Sequence, residues 1–312
     1  MAVLDQKKEV NSVVEPLDLI LLAILRSSAE FLSRPSIVKA VNDPVWSSLK
    51  PALYLCRRQI LVDEATDFSP VQLACMGALA QPSTLSFFAC GDFNQRLTTW
   101  GTRSREEMKW AARGLDFREI NVTYRQTKEL NNLARDIVAA VGGSIPIVQL
   151  PPNVDNNGIA PSLLEHATDE KILASWLAGR LREIERFVGQ APSIAIFVGS
   201  ESEVVPLANA LNRLLVEDNF RVVACPLGQA MGQDNDVRVF DIQHIKGLEF
   251  EAVFFVGIDQ FAEQQPALFD KYLYVGATRA ATYLGLTCRG ELPRPIRLLR
   301  SQFVEEWKSA IC

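Results

Sequence analysis

The feature that most constrains this chain is a recurrence of short, continuous apolar runs. Each stops at an acid or a glycine, and helical periodicity follows. Ile60-Leu61-Val62 closes on Asp63-Glu64, and residues 70–80 look helical. Thr84–Cys90 is the next apolar run, broken at Gly91-Asp92. Runs of this kind read as buried strands, and their alternation with helices implies parallel sheets with crossover helices. A third strand candidate, Phe117–Val122, precedes a helix-like QTKELNNLARDIVAAV that stops at Gly142-Gly143. Residues 150–160 read as a loop rich in Pro, Asn and Gly. Beyond it the pattern predicts helix 169–188, strand 193–198, helix 201–217 and strand 220–224. Strands 237–242 and 252–257, helix 267–281, strand 283–287 and a C-terminal helix near 296–311 follow. Ligands of such sheets bind at the carboxyl ends of strands, where the polar motifs are expected to fall.

A length of 312 residues suggests two domains, and 48% hydrophobic residues suffice for two cores. We place the lobes at 1–120 and 121–312. The net charge of -5 excludes a blanket basic coat for nucleic acid but leaves room for a local basic groove. Arginines and lysines do cluster at 103–118 and 289–300, where interspersed glutamates favour a solvated face. The apolar run Leu19–Leu25 is too short to span a bilayer, which needs about 20 residues, so residues 15–34 read as a buried helix. Cysteines without a CxxC pair, and only two histidines, argue against a zinc site or a disulfide framework and fit a reducing cytoplasm.

Asp63 and Glu64 at a strand end have the form of a Walker B motif. One carboxylate can hold Mg²⁺, and the other can polarise an attacking water. Two acids that cap a strand and open a helix are the competing reading. The motifs GDFNQRLTTW (91–100), VTYRQT (122–127), FDIQHIKGLEFEAVFFVG (240–257) and YLYVGATRAATYLGLT (272–287) follow in order. With these the chain resembles the UvrD/Rep-like superfamily 1 DNA helicases over about residues 55–290, through motifs II to VI. GDxxQ, KGLEF and YVxxTRA are the most specific pieces.

The resemblance implies an α/β fold of two RecA-like lobes with mainly parallel sheets, ATP and Mg²⁺ as cofactors, and single-stranded DNA as a partner. Asp63 would hold the metal, Glu64 would act as base, and Gln95 would sense the γ-phosphate. Arg125 and Arg279 would reach that phosphate from the second lobe, where a guanidinium stabilises developing charge. Tyr124 would lie near the adenine, Gly247 and Glu249 would bind the nucleotide, with Glu249 on the ribose, and Trp100 would stack on a base. Outside the family pattern, Trp100 reads as an interface core residue, Arg125 as half of a surface ion pair, and Glu249 as a solvated strand residue.

The chain departs from the family in several places. No GK[ST] occurs in the 312 residues, and 62 residues precede Asp63. The first lobe is therefore expected to lack the P-loop strand, leaving an edge that a partner subunit or an N-terminal helix would cover. Thr66 stands where the family usually has Gln. Asp241 and Gln243 stand for its Thr and His, and Gly101 for a frequent Arg. The stretch between motifs IV and V leaves no room for a large insertion in the second lobe. Two functions follow: an ATP-dependent DNA motor needing a P-loop from elsewhere, or a non-catalytic nucleotide- or DNA-binding regulatory module. A membrane role is not expected.

Overall fold

The computed structural model describes residues 16–40, 42–81, 83–98, 100–112, 114–120, 125–142, 156–189, 192–218 and 220–307. The chain divides into two compact units, Met1–Glu119 and Ile120–Cys312.

The first unit opens with helices α1 (Pro16–Leu32), α2 (Pro35–Ala40) and α3 (Lys50–Leu55). Strand β1 (Ile60–Val62), helix α4 (Pro70–Ala78), strand β2 (Phe87–Ala89) and helix α5 (Arg105–Ala111) follow. α4 starts at a capping box: Ser69 Oγ accepts from Gln72 N and the Gln72 side chain accepts from Ser69 N, with Pro70 in the first turn. β1 and β2 pair in parallel, with Leu61 opposite Phe88. Val62, Val71, Leu73 and Met108 bury one face against Leu22 of α1.

Three expectations fail here, in whole or in part. β1 is buried on one face only, since Leu61 and Phe88 are 68% and 56% exposed. α1 forms as expected, but Leu17, Ile20, Leu21 and Ile24 are exposed and only Leu22 and Leu32 are fully buried. An apolar surface on nearly every side shows that a helix seeks cover; it does not show that cover is present. The strand expected at Phe117–Val122 is irregular over 117–120, and its last two residues lie outside the described ones.

The second unit begins with α6 (Lys128–Ala140), β3 (Ser162–Leu164), α7 (Glu170–Val188), β4 (Ile194–Val198) and α8 (Glu201–Leu214). It continues through β5 (Val222–Ala224), β6 (Val237–Asp241), β7 (Phe250–Phe255), α9 (Ile258–Gln264), α10 (Phe269–Arg279), β8 (Ala280–Thr287) and α11 (Arg294–Leu298). Among the described residues these strands form a six-stranded sheet, ordered β3-β8-β7-β4-β6-β5. Every pairing is parallel. Ile194, Ile196 and Val198 meet Leu177, Leu181, Val204 and Leu211 of α7 and α8 on one face. Phe197, Phe240, Phe250 and Phe255 cluster on the other. Gly276 lets α10 approach, because a Cβ there would collide with the Phe255 ring.

The C-terminal helix is much shorter than expected. α11 ends at Leu298, a 3-10 turn spans Arg300–Gln302, and Val304 bridges to Ser162 beside β3. Trp307 is then fully buried, its Nε1 donating to the Ala160 carbonyl over 2.9 Å. Phe303 and Trp307 have helical spacing, but bridge pairing and burial override it.

Candidate functional site

In the first unit, Asp63 and Glu64 leave the carboxyl end of β1. Asp63 Oδ1 accepts from Glu64 N over 2.9 Å and from the Cys90 thiol over 3.2 Å. Burial, the bond to Asp63 and the carboxylates of Asp63 and Glu64 push the Cys90 thiol pKa up. Glu64 takes a left-handed conformation, φ 49°, uncommon for a residue with a Cβ. Ala65 N bonds to the Cys90 carbonyl, and Thr66 Oγ1 donates to the Asp92 carbonyl over 3.1 Å. Thr66, the departure from the family Gln, is fully buried and ties the β1 exit to the β2 exit.

Asp92 caps the 3-10 turn Phe93–Gln95, accepting from Asn94 N. Gln95, half-buried, closes that turn through its backbone N–H, which donates to the Asp92 carbonyl. Trp100 is 46% exposed, and Thr98 and Thr102 donate to the carbonyls of Asp67 and Phe68 on either side of it. Gly101 has a steric cause: a Cβ would collide with the Thr66 carbonyl and Thr98 Oγ1. An arginine, frequent here in the family, does not fit.

In the second unit, a cavity of about 350 Å³ is lined by Arg125, Gln126, Ser193, Glu249, Glu251 and Arg279, with Phe250 and residues 278 and 280–281 completing it. Arg125, Glu249 and Arg279, far apart in sequence, meet here. Gly247, at φ +70°, makes the turn that leads into Glu249 and does not itself line the cavity. Arg125 and Glu249 form an ion pair. Arg279 ends α10 and is buried. Tyr124 lies outside the described residues.

The cavity overturns one expectation. Ser193 precedes β4, Glu249 precedes β7 and Arg279 precedes β8, so it opens at the amino ends of these strands. The first unit does place its acids at carboxyl ends. Asp241 also has a structural explanation: it is buried and its Oδ1 accepts from Gln243 N, capping the following turn.

Beside the cavity, β7 and β8 shift register between Phe250 and Ala252, so Ala281 and Thr282 together oppose Glu251. The Thr282 hydroxyl donates to Glu251, and Glu251 N donates to Ser193 Oγ. Gln126, Ser193 and Glu251 are site residues that the sequence alone does not single out. Glu251 carries a detectable signal, because residues two apart on a strand share a face.

Residues 236–287 match the model of the UvrD-like helicase C-terminal domain. That segment runs from β6 to β8 and includes Glu249 and Arg279. No curated protein matches the chain. Among solved structures, the chain is similar to the C-terminal domain of a possible DNA helicase from Lactobacillus plantarum. Identity is 20%, the TM-score is 0.43, and the match covers 59% of this chain and 99% of the other. Among the described residues no helix is long and apolar enough to cross a membrane.

The residues suit the expected cofactors chemically. Two guanidiniums beside a cavity of this size match the charge of a polyphosphate, and Glu249 and Glu251 offer acceptors for sugar hydroxyls. Among the described residues no three His, Cys, Asp or Glu side chains converge on a metal site. Asp63 and Glu64 would be the residues to hold Mg²⁺, which uses one or two carboxylates while keeping waters and phosphate oxygens.

Proposed function

We propose that this UvrD-like helicase-related chain is part of an ATP-dependent motor on single-stranded DNA, with hydrolysis dependent on a P-loop supplied from elsewhere. The meeting of Arg125, Glu249 and Arg279 in one cavity carries this reading. The two arginines bind the terminal phosphate and stabilise its charge in the transition state. Glu249 orients the ribose. In the first unit Asp63 and Glu64 hold Mg²⁺ and the attacking water, Gln95 reports the γ-phosphate, and Trp100 stacks on a base. Bound Mg²⁺ supplies charge neutralisation on the phosphate oxygens. Localisation is cytoplasmic in this reading.

One observation favours the alternative of a non-catalytic regulatory module. Glu249 already pairs with Arg125, so an incoming phosphate must compete for that guanidinium. Single-stranded DNA affinity measured with and without Mg-ATP separates the two. A motor shows an ATP-dependent affinity that Arg279→Ala abolishes. Binding indifferent to ATP in both proteins rejects the motor reading and favours the module.

A further inference from the structure

Gln126 is buried, and its side-chain amide donates to two carbonyls, that of Ala277 over 2.7 Å and that of Ala280 over 2.9 Å. These carbonyls flank Arg279. Ala277 lies in the last turn of α10, where a helix leaves carbonyls without intrahelical partners and carries partial negative charge. Both amide hydrogens of Gln126 are thus spent on the end of a helix about 150 positions downstream. Thr278 Oγ1 satisfies a further carbonyl of that turn, that of Val275.

The clamp is itself held. Thr127 N donates over 3.0 Å to the carbonyl of Ala281, at the register shift between β7 and β8. Lys128 N and Glu129 N donate to the carbonyls of Asn156 and Asn157, and Gly158 packs against Thr127 where any Cβ would collide. Arg125 directly precedes this anchored segment and Arg279 lies between the two carbonyls it grips. A single side chain therefore couples both arginines to one backbone frame.

We propose that Gln126 is a positioning residue: it caps the C-terminal end of α10, masks its carbonyls from an anionic ligand, and holds Arg279 in register with Arg125. This purpose rests on the polyphosphate reading of the cavity, whereas the clamp can be tested without it. Only an amide of this length serves. Methionine keeps the length without a donor, asparagine keeps the donors but retracts them, and glutamate would face the carbonyls with charge.

The test is arginine modification by phenylglyoxal on the full chain, read peptide by peptide, in wild type, Gln126→Met and Gln126→Asn. Arg180, buried in the same unit, reports whether the fold survives. Arg279 modification is expected to rise about tenfold in both variants, the population change produced by losing one to two net hydrogen bonds, with Arg180 still protected. Undiminished protection of Arg279 in both variants overturns the proposal. So does joint exposure of Arg180 and Arg279, which would make Gln126 a general stability residue. Mg-ATP protection of Arg125 in wild type is a separate arm. Its absence rejects the polyphosphate reading, while the clamp still stands or falls on Arg279 modification.

Discussion

Arg125 and Glu249, 124 positions apart in the chain, form an ion pair on the wall of the second unit's cavity. Both side chains are partly solvated, so the pair contributes at most about 1 kcal/mol to folding. Glu249→Gln should leave the unfolding midpoint nearly unchanged. Its affinity for inorganic tripolyphosphate should rise as a competing carboxylate disappears, while the preference for ATP over tripolyphosphate shrinks. Calorimetric titration measures both, and unchanged values for both ligands would remove Glu249 from the ligand site.

Stability is set elsewhere in this unit. Arg180 lies between the Trp176 and Trp307 rings, pairs with buried Glu183 over 2.8 Å and donates to the Glu305 carbonyl. Glu183 also accepts from Trp307 N. Arg180→Ala strands a buried carboxylate and should cost about 3–5 kcal/mol in urea unfolding. The double change Arg180→Met with Glu183→Leu should recover much of the loss. A cost below about 1 kcal/mol for the single change would show that the pair is not effectively buried.

Restoring the family arginine at position 101 should harm the protein. Gly101→Arg drives a side chain into the Thr66 carbonyl and is expected to destabilise the first unit by roughly 1–3 kcal/mol or more, without improving DNA binding. Thermal unfolding followed by calorimetry and a DNA titration would check this. A variant of wild-type stability would refute the steric explanation.

Asp259 gives a pH signature. Burial alone would raise its pKa, but backbone amides of Arg289, Gly290 and its own turn outweigh that and hold it below the ordinary aspartate value. The bonds to Arg289 N and Gly290 N are 3.0 and 2.7 Å. A depressed folded-state pKa stabilises fully above the unfolded value of about 3.9 and is lost as pH falls through the folded pKa. The stability advantage of wild type over Asp259→Asn should be constant from neutral pH down to about pH 5 and vanish progressively below about pH 3.9. An advantage that persists unchanged in acid would contradict this.

Much of the parallel α/β pattern is legible in the sequence because strands such as Ile194–Val198 are continuous apolar runs that alternate with helical periodicity. Ser162–Leu164 is not legible, since three residues beside a Pro/Asn-rich loop carry no period. Phe303–Trp307 misleads because its spacing fits a helix, while pairing of Val304 with Ser162 decides the outcome. The motifs point to Arg125, Glu249 and Arg279, yet motif order does not say which end of a strand a residue occupies. Gln126 stands inside one of those motifs. Its role depends on carbonyls about 150 positions away, which no local pattern encodes.

Nucleotide binding by the second unit's cavity is tested most directly by calorimetric titration of the full chain with Mg-ATP, comparing wild type, Arg279→Ala and Arg182→Ala. Arg182 pairs with Asp218 away from the cavity and serves as the control. Wild type and Arg182→Ala should bind alike, and Arg279→Ala should bind at least about tenfold more weakly, as loss of a charged hydrogen bond implies. Equal affinity of Arg279→Ala and wild type, or no binding by wild type, would contradict a nucleotide site built on Arg125, Glu249 and Arg279.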